Sequence, residues 1–291
     1  MMGVEIRPLT SIADMQKAEA LEQEVWQIEP IEVVPYHTLH ALAANGSAVI
    51  GAFDGERLVG YVLGVLGLVE TPGRIDQVAA ARLKMYSVQL GVLAEYRNQG
   101  VGYQLKLAQR EEALRLGIRL ITWYYDPLES LNGRFNISKL GGICQTYHRH
   151  FHGEMGGINA GLPTDRFEVA WWVTGNRVKV RVEKGKRPLP LAAIKGGGAK
   201  VINDVTFNET GLPVPSEYWR NEGDAMALVE IPANFQAIKE QDPALAYAWR
   251  MHGRIVFETL FNRGYVVTDF VSEMDENGRR RSYYLLAHKE G

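Results

Sequence analysis

Hydrophobic and polar positions change period several times along the 291-residue chain, and each change predicts an element. The opening "VEIRPLT" alternates as a strand does, and "SIADMQKAEALEQEVW" follows with apolar residues at helical spacing behind Ser11, a natural N-cap. "YHTLHALAANG" reads as a second, shorter helix. "SAVIGAFDGERLVGYVLGVLGLV" is two apolar strands joined at Asp54-Gly55, a hairpin turn. After the turn-rich "TPGRIDQVAAA", "RLKMYSVQLGVL" predicts a further strand. "VGYQLKLAQREEALRLG" then sets Val101, Leu105, Leu107, Ala108, Leu114 and Leu116 on a broad helical stripe that stops at Gly117. "IRLITWYYDP" reads as a buried strand and "LESLNGRFNISKLGG" as a helix with a glycine stop. "CQTYHRHF" and "RFEVAWWVT" read as strands around a Gly-rich loop. The predicted order is β-α-α-β-β-β-α-β-α-β-β.

Composition shifts near Glu183, where "EKGKRPLPLAAIKGGGAK" is rich in Lys, Gly and Pro and lacks any period. This divides the chain into a first domain over 1–183, a linker over 184–200 and a C-terminal part over 201–291. In the last part "AMALVEIP" is a strand, "ALAYAWRMHGRIVFETLFNRG" a long amphipathic helix, and "YVVTDFVSEMDENGRRRSYYLLAH" a hairpin turning at Asn277-Gly278. Such a βαββ unit cannot bury both sheet faces alone, so it is expected to dock on the preceding part.

Charge and composition narrow the function. A formal charge of -2 carries no electrostatic footprint for nucleic acid or an anionic membrane surface. No run approaches the roughly 18 apolar residues of a membrane span, and the N-terminus lacks a signal-peptide pattern, so a cytoplasmic location is expected. The single cysteine, Cys144, excludes an intramolecular disulfide framework and fits a reducing compartment as an inert strand residue.

Chemistry concentrates in "GVLAEYRNQGVGYQL", which runs from a strand through Arg97, Gly100 and Gly102 into a helix. There the first helical amides are unpaired and carry the positive end of the helix dipole, and small residues let an anion approach the backbone. A glycine-containing turn before an ordinary helix satisfies the same spacing. The spacing is neither the Walker pattern nor the dinucleotide fingerprint.

The run "LGVLAEYRNQGVGYQL", after mostly antiparallel strands and before a long helix, resembles the acyl-CoA-binding motif of the GNAT superfamily of N-acetyltransferases, Arg/Gln-x-x-Gly-x-Gly/Ala. The element order matches that family over about residues 4–175. The resemblance implies an α/β fold of GNAT type: a mixed, mostly antiparallel central sheet flanked by helices, with the smaller βαββ unit docked on it. It further implies that the strand before the motif splays from its neighbour and bonds a pantetheine arm through the backbone at Leu90 and Val92. Gln99, Gly100, Val101, Gly102 and Tyr103 would then cradle a pyrophosphate, with Arg97 alongside. Asn132 matches the Asn that approaches the CoA arm. Asn136 and Lys139 share its helix face, since Asn132, Phe135, Asn136 and Lys139 sit at i, i+3, i+4 and i+7. The family's usual Tyr-x-Lys-Leu-Gly, whose Tyr reprotonates the thiolate, is Ile137-Ser138-Lys139-Leu140-Gly141 here, so that acid is absent. "WYYDPLESLNGRFNISKLGG" and "GLPTDRFEVAWWV" also resemble a branch of larger bacterial proteins with a C-terminal extension, some associated with N-succinylation of amino acids.

Aminolysis of a thioester needs a neutral amine and a donor for the leaving thiolate. Candidates on the splayed strand are Tyr86, Ser87 and Gln89, with alternation putting Ser87 and Gln89 on one face and Tyr86 on the other. His148, His150 and His152 alternate in "YHRHFH", yet without a cysteine or carboxylate pattern no metal is expected. Arg166 could hold an acceptor's carboxylate. Glu154, Asp165 and Arg166 read equally as loop caps, and Arg250, His252 and Arg254 as a solvated helix face or a site wall. The sequence thus points to an acyl-CoA-dependent N-acyltransferase, using acetyl-CoA or succinyl-CoA on a small-molecule amine such as an amino acid. A non-catalytic acyl-CoA-binding or regulatory module is the alternative. Neither nucleic acid nor membrane is an expected partner, and a homo-oligomer is allowed rather than required.

Overall fold

The computed structural model describes residues 3–69, 83–154, 161–185, 188–220 and 223–288. The turn-rich stretch at 71–81 and most of the Gly-rich loop after His152 lie outside the described residues. The chain forms two compact units that part between Trp123 and Tyr124.

The first unit runs β1 (Glu5–Pro8), α1 (Ile12–Trp26), α2 (Tyr36–Ala44), β2 (Ala48–Asp54), β3 (Arg57–Leu68), β4 (Leu83–Val92), α3 (Val101–Arg115) and the start of β5 (Leu120–Tyr125). Ser11 caps α1 as expected, its hydroxyl accepting the Asp14 amide at 3.1 Å. β1 to β4 pair antiparallel in chain order, and β5 joins β4 in parallel. Strand alternation sends successive residues to opposite faces. A Cβ on Gly91 would strike Trp26 and Leu21 of α1, whereas one on Gly60, which pairs with Val92, would meet Leu105 of α3. The two helices therefore cover opposite faces of the sheet. Both faces are dry, which is why β2 and most of β3 read as continuous apolar runs.

The second unit continues through α4 (Ser130–Gly133), β6 (Ile143–His148), β7 (Arg166–Trp172), α5 (Asn176–Val182), α6 (Leu191–Gly196), β8 (Lys200–Val201), β9 (Asn203–Phe207), β10 (Pro213–Trp219), β11 (Met226–Ile231), α7 (Phe235–Gln241), α8 (Pro243–Asn262), β12 (Tyr265–Met274) and β13 (Arg280–His288). Its sheet has the order β7-β6-β12-β13-β11-β8, antiparallel except for β11 with β8, and β9 pairs with β10 separately. The expected β11–α8–β12–β13 unit is present. Its exposed edge is closed by β6, where Val267 pairs with Cys144. An aromatic core of Phe167, Phe257, Phe270 and Tyr284 packs edge to face within it. Gly133 sits so close to that core that a Cβ would lie 2.8 Å from Phe270 and Tyr284.

Three expectations are corrected. The boundary at Glu183 and the linker over 184–200 followed composition, but α6 and β8 lie in that stretch, and Ile194 and Ala199 join a buried cluster with Leu228, Val271 and Tyr283. Two apolar residues suffice to pin such a segment, too few to set up a period. The helix over 130–139 is widened after Gly133: the Leu140 amide bonds the Phe135 carbonyl, five residues back, at 3.0 Å. Asn132, Asn136 and Lys139 thus leave their common face, with Asn136 buried and the other two exposed. The histidines do not alternate either, because β6 ends at His148 and His150 turns the chain at φ 47°.

Ile194→Ala is expected to lower stability by about 2–5 kcal/mol in urea unfolding, as for a core residue. A change below about 0.5 kcal/mol would return the segment to linker status.

Candidate active site

β4 carries one extra residue. Its register with β3 pairs Gln89 with Leu63 and Ser87 with Gly64, leaving Val88 unpaired in a bulge. At the same level β4 loses its other neighbour, since β5 pairs with it only at Met85↔Ile121 and Tyr86↔Thr122. Among the described residues the strand from Ser87 to Val92 is paired with β3 alone, which leaves its far edge open there. Thr122, at the parting, is buried with its hydroxyl unpaired among the described residues.

The chain leaves β4 through Asn98 at φ 61° and Gly100 at φ 87°, and enters α3 with no side chain capping the helix. Left-handed backbone of this kind is what glycine permits without strain. A Cβ at Gly100 would meet open space, whereas one at Gly102 would lie 3.4 Å from Leu90 and 3.8 Å from Val92. Arg97 donates through Nε to the Val92 carbonyl at 3.1 Å, which fixes it beside the end of β4. Gln99, by contrast, donates to the Glu95 carbonyl at 2.6 Å and holds the loop rather than capping the helix. Val101 is buried and Tyr103 half-buried at the start of α3. A groove between β1, α2 and the last turns of α3 lies toward the opposite end of that helix and takes no part in this arrangement.

The bulge corrects the expected pairing of Ser87 with Gln89 on one face. Ser87 points to α3, where Lys106 donates to its Oγ at 2.7 Å and to Gln109 Oε1 at 3.0 Å. Lys106 Nζ also lies 3.9 Å from the centre of the Trp123 ring. Burial pushes Lys106 from its ordinary 10.5 down to about 7. Gln89 points the other way, toward α1, donating to Glu22 Oε1 at 2.6 Å and to the Tyr61 hydroxyl. Glu22 also accepts from Tyr61 and from the Val34 amide at 3.0 Å, and burial raises its pKa. Tyr86 is half-buried, and burial raises its pKa as well.

Glu22 and Lys106 escaped the sequence reading. For Lys106 a signal existed: Leu105, Lys106, Gln109 and Ala113 share one helical face, and all four are buried, whereas Leu114 of the expected stripe is 38% exposed. In the second unit, Arg250 and Arg254 are not solvated. Arg250 donates to Asp126, and Arg254 donates twice to the fully buried Asp165 at 2.8 Å. His252 meets Asn203, and Arg166 is buried with a 3.0 Å bond to the Asp165 carbonyl. His148 lies 3.2 Å from Glu168. Cys144 is fully buried, and burial pushes its thiol up. Among the described residues no three His, Cys, Asp or Glu side chains gather as metal ligands do.

In this α/β protein a strand with a bulge leads into a glycine-led helix N-terminus. Residues 11–129 match the model of the Acetyltransferase (GNAT) family, so the chain carries a GNAT acetyltransferase domain; the family's reaction is acyl transfer from acyl-CoA to an amine. Among solved structures, it is similar to the ribosomal-protein-S18-alanine N-acetyltransferase of Escherichia coli, at 13% identity over 59% of this chain and 95% of that one, with a TM-score of 0.44. Arabidopsis thaliana NAA60 in complex with acetyl-CoA is 14% identical over 58% and 99%, with a TM-score of 0.46. The yncA protein of Salmonella typhimurium with acetyl-CoA is 14% identical over 60% and 96%, with a TM-score of 0.45. No curated protein matches the chain.

Gln89→Glu sets a second carboxylate against Glu22, and two carboxylates sharing one buried site raise each other's pKa in the fold. Stability contributed this way is lost as pH rises through the folded values. The variant is expected to melt well below the parent at pH 8 and to recover most of the difference near pH 5, read by circular dichroism. An equal deficit at both values would remove the shared buried site.

Proposed function

We propose that the protein is an acyl-CoA-dependent N-acyltransferase that moves an acetyl or succinyl group to a small amine, with amino acids the first acceptors to test. The observation that carries this reading is the coincidence of the open β4 edge with the uncapped, glycine-led start of α3. Backbone amides at Gly100, Val101, Gly102 and Tyr103 would hold the pyrophosphate, with Arg97 beside them and Gln99 bracing the loop. Leu90 and Val92 would bond the pantetheine arm through the backbone. Acyl-CoA supplies an activated carbonyl; the chain orients it and keeps water away. The amine would attack directly in a ternary complex, a mode that holding both reactants in register favours strongly. Tyr86, Ser87 and Gln89 stand at the level where that carbonyl would lie. Asn132, Asn136 and Lys139 rest on sequence resemblance alone and form no part of this reading. The likeness of "WYYDPLESLNGRFNISKLGG" to proteins associated with N-succinylation supports succinyl-CoA as a donor.

A second reading, a non-catalytic acyl-CoA-binding module, is favoured by one observation: Ile137, standing where the family's acid would be, is fully buried and apolar. The two readings separate when the protein is incubated with acetyl-CoA or succinyl-CoA and a panel of amino acids while free thiol is followed. Thiol release that depends on a particular amine is expected. CoA binding without such release would select the second reading.

The cradle has its own test. Gly100→Asp puts a carboxylate at the anion's place and is expected to weaken CoA binding roughly tenfold or more by calorimetry. Gly117→Asp is the matched control, since Gly117 also has a positive φ, 74°, and open space around it, at the other end of α3. Both variants carry a similar strain of about 1–2 kcal/mol, so equal CoA affinities in the two would refute the cradle.

A further inference from the structure

Lys106 is, among the described residues, a buried cation without an anion. Among the described residues the groups facing its Nζ are the Ser87 hydroxyl from β4, the Gln109 amide from its own helix and the Trp123 ring from β5. None of these titrates near neutrality, and burial is the cause that lowers its pKa. Two apolar side chains would fill the same space without desolvating an ammonium. Next to it Gln109 Nε2 is buried without a partner among the described residues.

Direction matters here. An ammonium can only donate, so in the 2.7 Å contact Ser87 Oγ is the acceptor, and its own hydrogen must point elsewhere. Ser87 is the residue of β4 that follows the last one paired with β5 and precedes the bulged Val88. A charged donor thus stands behind a hydroxyl at the level where the strand edge opens.

We propose that Lys106 and Ser87 form a proton relay that protonates the thiolate leaving in acyl transfer, with Ser87 the group that touches the sulfur and Lys106 a positioning residue and proton source behind it. The proposal rests on the N-acyltransferase reading above. The amine nitrogen bonds to the acyl carbon, the carbon–sulfur bond breaks, and its electron pair leaves on sulfur. Ser87 Oγ gives its hydrogen to the sulfur and takes one from Lys106 Nζ, leaving Lys106 a neutral amine. The proton lost by the new N-acyl ammonium, passed to solvent, balances the one Lys106 regains. The transfer runs downhill, because a thiol holds its proton up to a pKa of about 8.5, above the value burial imposes on Lys106.

The test uses the full chain with Ser87→Ala and Lys106→Met. In the wild type, kcat is expected to fall as pH rises above about 7, where Lys106 loses its proton. Ser87→Ala is expected to keep CoA affinity by calorimetry, lose about a hundredfold in kcat and lose that alkaline limb. Lys106→Met should match it. Independently of turnover, an NMR titration of the Lys106 side chain in the free protein should find its midpoint near 7. A Ser87→Ala enzyme with the parent's kcat and pH profile, or a Lys106 that titrates at its ordinary 10.5, would overturn the relay while leaving the acyltransferase reading intact. Failure of the wild type to bind CoA would overturn both.

Discussion

A single extra residue in β4 governs the first unit. Without the bulge at Val88, Ser87 and Gln89 would face the same helix, as period-two alternation demands. With it, Ser87 meets α3 and Gln89 meets α1, and each helix brings one ionisable side chain to the strand. Lys106 and Glu22 then lie on opposite faces of the sheet, where they cannot neutralise each other. Each is desolvated, and each is shifted toward its neutral form by that burial. Two isolated charges of opposite sign, held apart by one strand at the place where the sheet opens, form an arrangement that packing alone would not select.

The second unit handles charge in the opposite way. Asp126 with Arg250, Asp165 with Arg254, and Glu230 with Arg281 are close pairs in which the guanidinium meets its carboxylate through two donors. Asp165 also accepts from the Tyr147 hydroxyl and the His150 amide, so its lone pairs are satisfied. Removing one partner of such a pair leaves an uncompensated buried charge, which makes these groups parts of the frame around the aromatic core. Lys106 and Glu22 differ from them in having, among the described residues, hydrogen-bond partners but no counter-charge.

Much of this was legible in the chain itself. The element order from β1 to β7, the caps and turns at Ser11, Asp54-Gly55 and Asn277-Gly278, and the glycine at the head of α3 follow from rules that act within a few residues. A positive φ at Gly100 or Gly278 is a local demand, and alternation or helical spacing records which way a segment's own neighbours point. The family match over 11–129 falls on that same well-patterned part of the chain.

What only the tertiary structure decided has a common cause: it depends on a partner distant in sequence. The bulge at Val88 exists only against the register of β3, and the open edge only against the short pairing with β5. The wide turn after Gly133 follows no side-chain period, Ile194 is core only because Leu228 and Tyr283 come to it, and Arg250 is buried only because Asp126 lies opposite. The sequence by itself determined the glycine-led entry into α3. Which buried side chains meet at β4 was decided by strand register, because one residue's slip reverses every face and no local pattern records the slip.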